Sequence, residues 1–388
     1  LIIFASHPYF PFKSAPAAPM KKHILFSVFT LIFPFLLAAQ ERLLYVGTYT
    51  SRGSEGIYVY RFNSRTGVMT RTDVTGGIEN PSFLASSPDG KYLYAVAENP
   101  DGEVNAYKSD AKSGQLTFLN KQSSRGSWPC HLAVDKTGKT CIAGNYGSGN
   151  FSVFPVQADG SLGESRQTIQ HEGSSIIKDR QEGPHVHCTG YVPNNDGLFV
   201  TDLGTDRIYG YNMDPATGRL WSAEPLYFEA TPGAGPRHFV FHPNGRFVYA
   251  VMELNCTVNA LEFENGGLKK FQSISTLPEG YREKNTCADI HVSPDGKFLY
   301  ASNRGHNSIA AYSIDQKTGA LTLLDFYPTL GNAPRNFTLD PSGRFLLVAN
   351  QDSDSIQIFK RDERSGRLKY HSKGADVSMP VCLLFRPE

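Results

Sequence analysis

Arginine, histidine and glutamate gather in this chain at points where a strand should begin or end. Arg237 and His238 open the run Gly235-Pro-Arg-His-Phe-Val-Phe241, and Glu253 closes the run Phe247-Val-Tyr-Ala-Val-Met252. Between the two lies His242-Pro-Asn-Gly245, which has the residue types of a tight turn. Large apolar residues alternate on both sides of that turn at the period of two expected of strands, so the segment reads as a hairpin. A hairpin brings the start of its first strand beside the end of its second, which places Arg237 and His238 next to Glu253. Arg304, in Ser302-Asn-Arg-Gly305, and Arg335, in Pro334-Arg-Asn-Phe337, occupy corresponding places in later segments. A charge held in a narrow space is costly unless paired, so arginines around one carboxylate form a positive site suited to an anionic or carbonyl-bearing small molecule.

The elements that must position these residues repeat along the chain. The same hairpin returns at Ser87-Pro-Asp-Gly90, Asp135-Lys-Thr-Gly138, Asn194-Asn-Asp-Gly197, Ser293-Pro-Asp-Gly296 and Asp340-Pro-Ser-Gly343. Its turn glycines are roughly 50 residues apart, the spacing of propeller blades. A third strand, an Asp-x-x-Thr-Gly turn or a relative of it, and a fourth strand follow each hairpin. The start of the repeat array, Leu43-Leu-Tyr-Val-Gly-Thr-Tyr49 with the two strands after it, supplies only the last three strands of a blade. Pro380-Val-Cys-Leu-Leu-Phe385 matches the missing innermost strand. The expected fold is therefore all-β: a single seven-bladed propeller over residues 41–388 with four-stranded antiparallel blades, its ring closed by the C-terminal strand joining the N-terminal blade. A two-domain sandwich would give the terminal strand no blade to complete.

In such a ring the first strand of each blade lines the central channel, and residues just after the repeated Pro stand at one mouth. This mouth collects His131, His185, His187, Arg237, His238, Arg335 and Asn336 from first strands. From second-strand ends it receives Tyr49, Glu98, Tyr146, Asp202, Glu253, Arg304 and the repeated Asn145, Asn303 and Asn350. The repeated asparagines and Asp202 read as structural acceptors and donors. His131 and His238 suit either a bond to a neighbouring blade or a substrate contact. His185-Val-His187 offers two imidazoles on one face by strand alternation, but no acidic set at metal spacing accompanies them, so no metal and no cofactor is expected. The chain carries no nucleophile elbow, Walker loop, His-Glu-x-x-His or dinucleotide fingerprint.

Composition bounds the rest. A net charge of +1 over 388 residues excludes a polyanion binder, so nucleic acid is not an expected partner. Residues 1–19 precede the first plausible start, Met20, and read as an upstream extension outside the natural protein. Residues 20–40 give two lysines, a short apolar run and small residues, the layout of a cleaved export signal. The run is shorter than the ~20 residues a spanning helix needs, so the mature chain is expected outside the cytoplasm, periplasmic or extracellular, with no membrane anchor. The six cysteines are scattered, at 130, 141, 188, 256, 287 and 382, and read as buried small apolar residues with room for at most one bridge.

Taken together, Gly183-Pro-His-Val-His187, Thr201-Asp-Leu-Gly-Thr-Asp-Arg207, Gly235-Pro-Arg-His238 with Glu253, Ser302-Asn-Arg-Gly305 and Pro334-Arg-Asn-Phe337 resemble the seven-bladed propeller lactonase family. That family includes bacterial 6-phosphogluconolactonase and the fungal carboxymuconate lactonizing enzyme. The resemblance covers essentially all of 41–388. It implies a carboxylic ester hydrolase acting on a small-molecule lactone, with His187, Arg237, Glu253 and Arg304 as the catalytic group. His185, His131, His238, Arg335 and Asn336 are the expected substrate contacts. The arginines would stabilise an oxyanion, and Glu253 or His187 would take a proton from water. Two other readings fit the same mouth: a lactonizing cycloisomerase, and an exported propeller that binds a carbohydrate or protein partner without catalysis. The export signal argues against a phosphorylated cytoplasmic substrate.

Overall fold

The computed structural model describes residues 8–11, 13–14 and 41–388. The readings of 1–19 as an extension and 20–40 as an export signal lie outside the described residues, apart from the irregular 8–11 and 13–14. Residues 41–388 form a ring of seven four-stranded antiparallel sheets. Blade 1 is assembled from both ends of the chain: Pro380–Phe385 is its innermost strand, followed outward by Glu41–Thr48, Ile57–Asn63 and Met69–Thr75. The closing register pairs Leu44 with Phe385, Tyr45 with Leu384 and Val46 with Leu383. Blades 2 to 7 follow in chain order, with innermost strands Leu84–Ser86, Pro129–Val134, Val186–Tyr191, Pro236–Phe241, Thr286–Val292 and Pro334–Leu339.

Alternation explains why the blades stack. In the second strands, which are buried on both faces, successive residues face opposite neighbours and fill two separate inter-blade cores. Tyr249 and Val251 pack toward blade 6 with Leu299 and Ala301, whereas Val248, Ala250 and Met252 pack toward blade 4 with Phe199 and Ile208. The outermost strands lose this pattern and become half polar, as the solvated rim requires. A second tie repeats along the ring: a second-strand tyrosine donates its hydroxyl to the turn glycine carbonyl of the next blade. The bonds are Tyr94 to Gly160 at 3.1 Å, Tyr249 to Gly319 at 2.8 Å and Tyr300 to Gly366 at 2.7 Å. Those glycines hold φ between 69° and 86°, where a side chain is strained, and a Cβ at Gly319 or Gly366 would strike the ring of Phe247 or Phe298.

One departure from alternation shapes the mouth. Six of the seven innermost strands carry a β-bulge where they leave the channel, immediately after the repeated Pro or its equivalent. The unpaired residue is Cys130 in blade 3, His187 in blade 4, Arg237 in blade 5, Arg335 in blade 7 and Val381 in blade 1. A bulge re-aims its side chain off the strand's alternating pattern, and in blades 3, 4 and 7 that residue is delivered to the wall of a cavity at the mouth. All six cysteines are buried and unbridged.

Candidate functional site

The hairpin of blade 5 does what its sequence requires. Arg237 Nε lies 2.9 Å from Glu253 Oε2. Arg304, from the end of the second strand of blade 6, reaches the same oxygen at 3.0 Å, and Arg180 reaches Oε1 at 2.6 Å. Three guanidiniums therefore surround one buried carboxylate. Burial alone would push the Glu253 pKa up, but Arg304, Arg237 and Arg180 pull it down to about 2. Glu253, read from the sequence as a base, holds three charged bonds that taking a proton would weaken. Its carboxylate is a fixed counter-charge that sets the arginine geometry.

A cavity of about 250 Å³ opens above this pair, lined by Tyr49, Glu98, Cys130, Tyr146, Arg180, His187, Glu253, Arg304 and Arg335. Four of the expected site residues meet on its wall: Glu253, His187, Arg304 and Arg335. Arg335 lies 5.3 Å above the Tyr49 ring and, among the described residues, makes no hydrogen bond or ion pair. Its charge is free for a ligand. Arg304 anchors through Nη2 to the Cys287 carbonyl at 2.9 Å. His187 is buried, and burial together with Arg237 and His238 holds its pKa well below the ordinary value, so the imidazole is neutral.

The other expected contacts are not on the wall. Arg237 is 2% exposed and lies beneath Glu253, donating to the Ala288 carbonyl at 2.7 Å. Burial, then the guanidiniums of Arg304 and Arg335, lower its pKa to about 10 against the pull of Glu253, so it stays charged at neutral pH. It supports the site from below. His238 binds Asp289 through Nδ1 at 2.8 Å and faces Arg237 Nη1 at 3.3 Å; burial and Arg237 hold its pKa at about 4. Asn336 donates to Asp289 at 2.6 Å and accepts from the Leu383 backbone N–H at 2.7 Å, tying blade 7 to the closing strand. His131 accepts from the Thr189 N–H at 3.3 Å and lies on Phe83, with ring centroids 4.1 Å apart. These three side chains bind neighbouring blades; for His131 and His238 that is the structural alternative read from the sequence, whereas Asn336 was expected only as a substrate contact.

His185 and His187 also separate. The bulge at His187 breaks the alternation that would have put them on one face. His185 stacks on Tyr146 at 4.4 Å and donates Nδ1–H to the Tyr146 carbonyl at 2.8 Å, bracing a ring that lines the cavity. Asp202 accepts from the backbone N–H groups of His185, Gly204 and Thr205, and Asn145, Asn303 and Asn350 each donate to a carbonyl of their own blade or the connection into it. Their expected structural roles hold. Among the described residues no group of three or more His, Cys, Asp or Glu could hold a metal ion.

Arg180 was not foreseen. It stands in the connection between Gln167–Gln170 and Val186–Tyr191, where no strand period points a side chain anywhere. That connection is longer than those joining the other blades, and a long connection at a channel mouth is the signal that could have found it.

Comparison with known proteins agrees with this architecture. The family model described as Lactonase, 7-bladed beta-propeller matches residues 43–385. The 6-phosphogluconolactonase of Bacillus subtilis (strain 168) is 38% identical over 345 residues, covering 88% of this chain and 97% of the relative. That of Formosa agariphila is 41% identical over 307 residues, covering 76% of this chain and 86% of the relative. The solved structure of the periplasmic gluconolactonase of Pseudomonas aeruginosa superposes with a TM-score of 0.86 at 35% identity, covering 89% of this chain and 99% of that one.

Proposed function

Because the chain belongs to the seven-bladed β-propeller lactonase family, we propose that it opens the ring of a sugar lactone by hydrolysis in the mouth cavity. The observation that carries this reading is the set of guanidiniums on the wall, Arg180, Arg304 and Arg335, with Arg335 unpaired among the described residues. Attack of water on a lactone carbonyl makes an oxyanion. Cations already standing on the cavity wall lower the barrier because they need little reorganisation as charge develops. Glu253 keeps Arg180 and Arg304 fixed. Neutral His187 and the phenols of Tyr49 and Tyr146 supply hydrogen-bonding groups for the substrate's hydroxyls.

The cavity falls below the ~300 Å³ lower bound of drug-sized sites, which suits a single sugar ring. Two relatives are named for a phosphorylated lactone and one for a periplasmic gluconolactone activity. The export layout of residues 20–40 supports the second, so an unphosphorylated aldonolactone is the substrate we favour. The test is hydrolysis of glucono-1,5-lactone and of its 6-phosphate by the mature protein, with the spontaneous rate subtracted. The unphosphorylated lactone should be turned over at least as well. Arg304→Ala and Arg335→Ala should each lower kcat by about 10² to 10³ fold, the effect of removing one oxyanion donor. Failure to accelerate either lactone would refute the proposal.

A further inference from the structure

We infer that Glu98, and not Glu253, takes the proton from the attacking water; the inference rests on the hydrolytic reading above. The two carboxylates of the cavity stand at equivalent points of the repeat. Glu98 follows Tyr92–Ala97 in blade 2 and Glu253 follows Phe247–Met252 in blade 5. Their partners differ in kind. Glu253 receives only guanidiniums, one at Oε1 and two at Oε2. Glu98 receives only hydroxyls: Tyr49 donates to Oε1 at 3.0 Å and to Oε2 at 2.9 Å, and Ser82 donates to Oε2. Among the described residues it forms no ion pair.

That difference decides which group can act as a base. A guanidinium can only donate, so protonating Glu253 would set an acidic hydrogen against charged donors. A hydroxyl donates or accepts by rotation, so Tyr49 and Ser82 can hold Glu98 in either protonation state. Oε1, which shares one donor with its neighbour, keeps lone-pair capacity for water. The remaining wall groups are poor acceptors. Burial holds the Cys130 thiol and the phenols of Tyr49 and Tyr146 protonated, and burial with Arg237 disfavours a cationic His187. Arg335, close to Tyr49, places a positive charge near the oxyanion formed beside Glu98.

The step balances without another reactant. Water gives one proton to Glu98 as its oxygen bonds to the carbonyl carbon, and the carbonyl oxygen becomes an oxyanion held by the arginines. On collapse the ring C–O bond breaks, and Glu98 returns its proton to the departing alkoxide, leaving a hydroxy acid and an unchanged enzyme.

The experiment measures glucono-1,5-lactone hydrolysis by the mature wild type, Glu98→Gln, Glu98→Ala and Glu253→Ala, each with and without formate. Wild-type turnover above the spontaneous rate is the control for the hydrolytic reading; its absence sinks that reading and this inference with it. With turnover present, Glu98→Gln should lose about 10² to 10⁴ fold in kcat with KM changed only a few fold. Formate, a diffusible carboxylate, should restore part of the Glu98→Ala rate and none of the Glu253→Ala rate. Thermal melting identifies any misfolded variant, and the formate arm then decides, because rescue needs a missing base in an intact site. A Glu98→Gln kcat within about threefold of wild type, or rescue confined to Glu253→Ala, overturns the assignment.

Discussion

Glu253→Gln tests whether the carboxylate is a structural counter-charge. The substitution keeps shape and removes one negative charge from among three guanidiniums. The Glu253 pKa falls from the ordinary 4.5 to about 2 on folding. At 1.36 kcal/mol per unit this is worth about 3 kcal/mol at neutral pH, in line with the ~3–5 kcal/mol for breaking a buried ion pair. The sign follows from the depressed folded value. The contribution is complete above the unfolded pKa of 4.5 and is lost as pH falls through it toward 2. Urea unfolding of wild type and variant should therefore show a gap of about 3 kcal/mol that is flat from pH 6 to 8 and less than half as large at pH 3. A gap below about 1 kcal/mol at pH 7, the range of an exposed pair, would refute the reasoning. So would a gap that does not change between pH 7 and pH 3.

Deleting Met379 to Glu388 should leave blade 1 without its inner strand, expose the edge of Glu41–Thr48 and cost solubility; soluble protein with an unchanged melting temperature would contradict the closure. EDTA should leave lactone turnover intact, since the proposed oxyanion stabilisation comes from the guanidiniums of the cavity wall; loss of activity restored by added metal would contradict it. Mass spectrometry of protein from its native cell should find the mature N-terminus between Ala38 and Gln40; an intact Met20 start in the cytosol would favour the phosphorylated substrate instead.

The ring and its closure were legible because turn glycines and alternating apolar residues report local backbone geometry, and the geometry repeats. The contact of Arg237 with Glu253 was legible for the same reason: a hairpin determines which residues meet. What the sequence concealed begins at the bulges. Strand alternation assigns His185 and His187 to one face, but one extra residue in the ladder sends His187 to the cavity and leaves His185 behind Tyr146. The depth of a residue along the channel was hidden too. Arg237, His238, His131 and Asn336 stand near the repeated Pro as Arg335 does, yet they bind a lower layer of carbonyls, Asp289 and neighbouring strands. Arg180 was invisible because an irregular connection has no period from which a direction can be read.

The split blade also sets an order of events in time. Pro380–Phe385 is made after every other strand of the ring, while its partner Glu41–Thr48 is made before them. At about 5–20 residues per second, the early strand waits roughly 20 to 70 seconds for the one that covers it. Until Pro380–Phe385 has been made the chain can stack blades but cannot close the circle, so Arg335 of blade 7 cannot be brought over Tyr49 of blade 1 on the cavity wall. The cavity wall is thus incomplete in any chain that stops before Pro380, which is an open arc with a pairing edge at its end. Such an arc offers that edge to chaperones and proteases.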